Sequence, residues 1–382
     1  MLASFYHDEL APGLKDLDLG DLPVSKALGV YWNAESDDFV VRVNLREKPM
    51  TRRGVLSQAS QLFDPFGMIQ PFILPIKGLL QRLCQLNIGW DDPIPTPLRD
   101  IWIQWLRALH KLQTIAIPRW FGCCPHGSEL ELHCFSDASG VGYGAVCYIR
   151  IVQGSMIHCS FVLGKSRVCP IKSVTIPRLE LSAATLAVKL ARMITKELEI
   201  ELVQTVFWTD STTVLRYIEN TSRRFSVFVA NRLSTIHASS QVSQWRYVES
   251  RKNPADLASR GAMPDDDCST WLRGPEFLWR SEDCWPSRSA HLPPLDDDDP
   301  ELRTVKLVNW TTPQVNHTIS MLVHHYSTWM RLVKAVAWMT RFKQYIMWKF
   351  SNKPGSHARP TSCFLSVEET DAASLDLSLI HI

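Results

Sequence analysis

Between residues 131 and 261 the hydrophobic period of the chain switches from strand-like to helical, and few folds accommodate the order in which it does so. Three apolar-rich runs, Leu130 to Phe135, Gly142 to Ile151 and Met156 to Leu163, are separated by short polar or glycine-containing turns, the pattern of an antiparallel meander. Pro177 then opens a stretch in which Leu179, Ala183, Leu186, Leu190 and Met193 keep the three-and-four spacing of one buried helix face. A buried strand from Thr205, short helices at Thr212 to Ile218 and Phe225 to Ile236, a strand at Trp245 to Val248 and a last helix from Ala255 follow. The order βββαβααβα predicts an α/β layered domain.

The flanks read differently. Leu28 to Trp32 and Phe39 to Val43, joined by the acidic turn Glu35 to Asp38, predict a hairpin. Apolar residues at 55, 59, 62 and 63 predict a helix that stops before Pro65. Further helices are expected from Leu74 to Leu86 and from Pro97 to Leu112, the latter with Ile101, Trp105 and Leu109 on one face. Nothing in these first 130 residues offers a catalytic constellation, so they read as a packing and connecting module. After 262, Asp265 to Asp267, Pro293-Pro294 and Asp296 to Asp299 suggest a linker. Helical periodicity resumes around Met321, Val333, Val336 and Trp338, with Arg331, Lys334, Arg341 and Lys343 interleaved, and predicts a basic amphipathic helix that packs on a partner. The segment Phe364 to Ile382 ends without a recognisable closing element, as an interrupted reading frame would.

The formal charge of +2 conceals blocks: residues 131–261 carry 16 Lys and Arg against 10 Asp and Glu, whereas 262–303 carry 4 against 11. A basic block beside an acidic one points to a polyanionic partner for the first and a solvated linker for the second. Ten cysteines without any CxxC pair exclude a zinc ribbon and a thioredoxin-type site. The acidic N-terminus lacks the basic and apolar regions of a signal peptide, and Pro71, Pro75 and Lys77 interrupt the longest oily stretch. The expectation is a cytoplasmic or nuclear protein, neither secreted nor in a membrane, in which Asn309-Trp310-Thr311 has no glycosylation meaning.

Four acidic residues of the middle domain stand where strands end and helices begin. Asp137 follows an apolar strand, Glu180 lies in the first turn of the amphipathic helix, Asp210 ends a strand, and Asp256 opens a helix after Asn253-Pro254-Ala255. Taken singly, Asp210 and Asp256 read equally well as helix caps and Glu180 as a partner of the helix dipole, but Asp137 has no capping duty. Carboxylates gathered at one sheet edge repel one another unless cations lie between them. Magnesium suits oxygen ligands, and two such ions about 3.5 to 4 Å apart support phosphodiester cleavage without a histidine or serine nucleophile.

The segments Phe135-Ser-Asp-Ala-Ser-Gly140, Ile176-Pro-Arg-Leu-Glu-Leu-Ser-Ala183, Phe207-Trp-Thr-Asp-Ser211 and Asn253-Pro-Ala-Asp-Leu-Ala-Ser-Arg-Gly261 resemble the ribonuclease H domain of BEL/Pao-type long-terminal-repeat retrotransposon polyproteins. Leu28 to Trp32, Thr51 to Ser57 and Phe63 to Gly67 resemble the end of the reverse transcriptase and its connection, while Tyr326 to Leu332 and Phe364 to Glu369 resemble the stretch leading toward an integrase. The resemblance implies a ribonuclease H-like mixed five-stranded sheet with helices, flanked by a helical reverse-transcriptase connection segment and a partial helical C-terminal region. It divides the chain into the end of a reverse-transcriptase-like region (1–50), a connection or thumb-like helical segment (51–130), the ribonuclease H-like domain (131–261), an acidic linker (262–303) and a partial segment toward a missing integrase (304–382).

By the same resemblance, Asp137, Glu180, Asp210 and Asp256 would hold two magnesium ions, with manganese as the alternative, and cut the RNA strand of an RNA–DNA hybrid. The candidate phosphate-binding surface is Lys165, Arg167, Lys172, Arg178, Arg223, Arg224, Arg251 and Lys252; other segments of a polyprotein are further partners. The loop Glu249 to Ala255 lacks the histidine that some ribonucleases H carry there, and no YxDD polymerase, aspartic protease or integrase motif is present. The competing readings are a catalytically inactive relic or co-opted nucleic-acid-binding module and, more weakly, an integrase-like nuclease.

Overall fold

The computed structural model describes residues 24–27, 30–43, 48–121, 128–264, 266–286, 295–296, 298–303, 325–326, 328–350 and 364–380. They fall into two compact units, Met1–Thr304 and Val305–Ile382.

The larger sheet of the first unit runs through strands β5 (Glu129–Ala138), β6 (Gly142–Gln153), β7 (Met156–Val168), β8 (Gln204–Thr209) and β9 (Trp245–Tyr247) in the order β7-β6-β5-β8-β9. The meander β5-β6-β7 is antiparallel and β8 and β9 join parallel, so the sheet is mixed, as the alternation of periods predicts. Helices α4 (Ile176–Leu198), α5 (Thr212–Glu219) and α6 (Val227–His237) cover one face, where Leu132, Cys134, Ala145, Cys147 and Phe207 are buried. Met193 departs from the expected buried stripe of α4: it is exposed and Ile194 is buried instead. Because α4 also buries Leu181, Ala184, Ala187, Val188 and Ala191, its apolar face is wider than a single stripe.

Phe135, Val146, Tyr148 and Trp208 lie on the other face and share one core with the N-terminal helices. Those are α1 (Arg52–Ala59), α2 (Gln70–Gln85) and α3 (Thr96–Ala108). In α3 the buried pair is Trp102 and Trp105, with Leu109 beyond, while Ile101 faces out. The Trp105 indole donates to the Phe72 carbonyl at 2.9 Å, a bond that aims the ring at α2. The expected hairpin is present as β2 (Val30–Asn33) and β3 (Asp38–Val40), within a four-stranded sheet completed by β1 (Val24–Ala27) and β4 (Ala116–Pro118); Leu28 lies outside the described residues.

The linker expected over 262–303 takes a different form. Helix α8 (Ser269–Arg273) and the turn after it bury Trp271, Phe277, Leu278 and Trp285 against Phe135, Tyr148 and Trp208. Average composition hid this, because the exposed aspartates 266 and 267 sit just before an aromatic run that the core absorbs. Arg150, 3% exposed, ties the segment down: its guanidinium donates to the carbonyls of Leu278 and Arg280, each at 2.8 Å, and to Glu131 at 2.6 Å. His133 completes the buried network, accepting from the Trp208 indole at 3.1 Å and lying 3.1 Å from Glu131.

The N-terminal helices meet the sheet at Gly67 and Gly164. Gly67 has φ +82°, and a Cβ there would lie 1.8 Å from the Gly164 carbonyl oxygen. The Gly164 amide donates to the Phe66 carbonyl at 2.8 Å, and the Trp271 indole donates to the carbonyls of Gly67 and Met68.

In the second unit, a helix over Trp329–Phe350 packs Leu332, Val333 and Ala337 against Ala373 and Leu377 of a helix over Val367–Ile380, with an Arg341–Glu369 ion pair beside them. Val333 is buried as expected, Trp338 is exposed, and Met321 lies outside the described residues. No helix among the described residues is long and apolar enough to cross a membrane.

Candidate active site

Asp137 is the penultimate residue of β5, opposite Gly144 of β6, and is 6% exposed. Asp210 follows the last residue of β8, the parallel neighbour of β5. The two strand ends therefore bring Asp137 and Asp210 within mutual influence. Burial and then the Asp210 carboxylate push the Asp137 carboxyl up to about 7; Asp256 adds to this and the Ser259 hydroxyl opposes it.

Glu180 joins from α4. Burial raises its pKa above the ordinary carboxylate range, a hydrogen bond from Ser211 acts against burial, and Asp210 adds repulsion. The Ser211 hydroxyl donates to Glu180 at 2.6 Å and accepts from the Val214 amide at 3.1 Å, so one serine caps α5 and holds Glu180. Asp256 lies in the first turn of α7 (Ala255–Arg260), where Arg260 donates to its carboxylate at 2.6 Å. The N-terminal caps of α5 and α7 are Ser211 and Pro254. Asp210 and Asp256 thus have no capping duty, which removes the structural explanation open to them in the sequence.

Several residues that set this geometry carried no chemical signal in the sequence. Ser259, fully buried on α7, donates to the Asp137 carboxylate. Asn253 bonds from its amide nitrogen to the Ser136 carbonyl at 3.1 Å and accepts from the Ala255 amide at 3.1 Å, fastening the turn before α7 to the strand that carries Asp137. The close packing of α7 also requires Gly144, since a Cβ there would lie 2.5 Å from the Ala258 Cβ. Their trace in the sequence was slight: Asn-Pro marks a turn, and Ser259 follows Asp256 by the three residues that put two side chains on one helix face.

Oxygen-only donors and unrelieved like-charge repulsion are the chemistry a hard divalent cation resolves, so the four carboxylates fit magnesium by type. Among the described residues, however, no three His, Cys, Asp or Glu side chains close into a group that could hold a metal ion. Three of the four carboxylates turn to neighbours instead: Asp137 to Ser259, Glu180 to Ser211 and Asp256 to Arg260.

Seven of the eight basic candidates are exposed: Lys165 and Arg167 on the edge strand β7, Lys172 before α4, Arg223 and Arg224 before α6, and Arg251 and Lys252 beside Glu249. Arg178 differs, being held by Glu301 through two hydrogen bonds of 2.5 and 3.0 Å.

Residues 51–211 match the Pao retrotransposon-like RNaseH-like domain family. The match begins in the N-terminal helices and takes in Asp137, Glu180 and Asp210, in keeping with the single core that helices and sheet share. Among solved structures, the N-terminal RNase H domain of rv2228c from Mycobacterium tuberculosis, determined as a fusion with maltose-binding protein, is 12% identical, covers 35% of this chain and 91% of its own, and has a TM-score of 0.25. LC11-RNase H1 in complex with an RNA/DNA hybrid is 12% identical and covers 35% and 96%, with a TM-score of 0.23. RNase H1 of the halophilic archaeon Halobacterium salinarum is 13% identical and covers 36% and 99%, also with a TM-score of 0.23. No curated protein matches the chain. The five-stranded mixed sheet, with its helices, agrees with the ribonuclease H-like domain that the matched family model describes.

Proposed function

We propose that this chain is a ribonuclease H that hydrolyses the RNA strand of RNA–DNA hybrids with divalent metal ions. The observation that carries the reading is the placement of carboxylates at two strand ends, in the second turn of α4, one turn later than the sequence predicts for Glu180, and in the first turn of α7, close enough for Asp210 to act on both Asp137 and Glu180 and for Asp256 to act on Asp137. Asp137, Glu180, Asp210 and Asp256 would hold two magnesium ions, with manganese as the alternative, and the ions would supply an activated water and stabilise the leaving oxygen. The protein's part is orientation: Ser259 steadies Asp137, Ser211 steadies Glu180 and Arg260 steadies Asp256. Exposed Lys165, Arg167, Lys172, Arg223, Arg224, Arg251 and Lys252 would bind backbone phosphates, and the 2′-hydroxyl would mark the strand to be cut.

One observation favours a second reading, a nucleic-acid-binding module without turnover: the carboxylates bond to Ser259, Ser211 and Arg260 and not around a common point. The two readings part in one assay. The full chain with magnesium is expected to cut the RNA strand of a labelled hybrid, and Asp210→Asn, folded by circular dichroism, to cut it at least about a hundredfold more slowly. Hybrid binding without cleavage would leave the binding module as the correct reading, and equal cleavage by Asp210→Asn would show that this carboxylate does not carry the reaction.

A further inference from the structure

The Arg178–Glu301 ion pair is part of a larger docking of an acidic segment against the helical face of the domain. Residues 296–301 hold five carboxylates in six positions. Tyr217, on α5, donates its hydroxyl to both oxygens of Asp299, at 3.0 and 2.9 Å. Glu301 takes the two Arg178 bonds and a third from the Ser226 hydroxyl at 2.6 Å. The main chain follows: the Ser226 amide donates to the Glu301 carbonyl at 2.7 Å, the Arg303 amide to the Arg224 carbonyl at 2.8 Å, and Leu302 bridges to Phe225. The Glu301 side chain is only 6% exposed, whereas that of Arg178 remains 36% exposed.

The donors that hold Glu301 are those that bind a phosphodiester: a guanidinium giving two parallel bonds and a hydroxyl, at the N-terminal end of α6. Arg178 precedes Glu180 by two residues on α4, which sends the two side chains out on different faces of the helix. Exposed Arg223 and Arg224 lead into the Phe225–Leu302 bridge. A phosphate backbone lying along the basic surface at Arg223 and Arg224 would therefore meet Arg178 already engaged by a carboxylate of the same chain.

We propose that the segment Asp299–Arg303 is a displaceable acidic strap that competes with the backbone phosphates of an RNA–DNA hybrid for Arg178 and Ser226, and so weakens hybrid binding. This rests on the hybrid-cleavage reading and adds a regulator to it. Hybrid binding lifts Glu301 from Arg178, and the guanidinium passes from carboxylate to phosphate.

The test uses the full chain and a fluorescein-labelled RNA–DNA hybrid, with calcium in place of magnesium for binding and magnesium for cleavage. Glu301→Gln is expected to bind hybrid about fivefold or more tightly than wild type, because the phosphate no longer has to displace a carboxylate from Arg178. In an Arg178→Gln background the same change is expected to have no effect. Tyr217→Phe, which loosens Asp299 without altering a charge, should tighten binding in the same direction and serves if Glu301→Gln does not fold. Wild-type cleavage together with unchanged or weaker binding by these folded variants would overturn the strap and leave the nuclease reading intact. Absence of hybrid binding and cleavage in wild type would overturn both.

Discussion

Replacing Asp137 by Asn is expected to stabilise the metal-free protein while it abolishes cleavage. The Asp137 carboxyl is 6% exposed, and burial, followed by repulsion from Asp210, lifts it from its ordinary 3.8 to about 7. The folded state therefore binds the proton more tightly than the unfolded chain, and stability falls as pH rises between those two values. At about 1.4 kcal/mol per tenfold change in proton affinity, the span sets a ceiling of about 4 kcal/mol, fully expressed above pH 7 and absent below the unfolded pKa. Asn keeps an oxygen to accept from Ser259 but cannot carry the charge. Even half the ceiling corresponds to about 3 °C in a unit of this size. The assay is thermal unfolding in EDTA at pH 8 and at pH 5: the variant should melt higher at pH 8, and the gap should narrow at pH 5. Under the proposed metal-dependent reading, magnesium should then raise the wild-type midpoint more than that of the variant. An Asn variant no more stable than wild type at pH 8, or a gap independent of pH, would refute the reasoning.

Gly144→Ala places a Cβ 2.5 Å from that of Ala258 and 2.8 Å from the Lys165 carbonyl oxygen, so α7 must shift with both Asp256 and Ser259. A loss of about 1 to 3 kcal/mol in urea unfolding is expected, with reduced hybrid cleavage; wild-type values for both would show that α7 need not seat so closely. A chain ending at Gly261 keeps all four carboxylates but loses Trp271, Phe277, Leu278 and Trp285, and with them the carbonyls of Leu278 and Arg280 that hold Arg150. It should lack a cooperative melt, whereas a sharp transition would mean that the segment is dispensable.

The mixed sheet and its helices were legible because each element carries its own period: the meander alternates, α4 repeats at three and four, and Pro177 marks its start. The positions of Asp137 and Asp210 were legible for a related reason, since a charge placed directly after an apolar strand stands out locally. Residues 262–286 were misread because the acidic residues dominate composition, while the decisive fact, that Trp271 reaches Gly67 across two hundred residues, is a pairing that no local window contains. The same limit explains Ile101 and Met193, which fit a helical spacing yet face solvent because the neighbouring element lies on the other side of the helix.

By itself the sequence determined the order of elements, the chemistry available at the strand ends and the separation of charge into a basic and an acidic block, because all three are properties of neighbours along the chain. Only the tertiary structure decided that the N-terminal helices, the sheet and the aromatic segment share one core, that Ser259 and Ser211 hold the carboxylates, and that Glu301 lies on Arg178. These depend on which surfaces meet, and burial assigns partners by shape and by the need to satisfy every buried polar group.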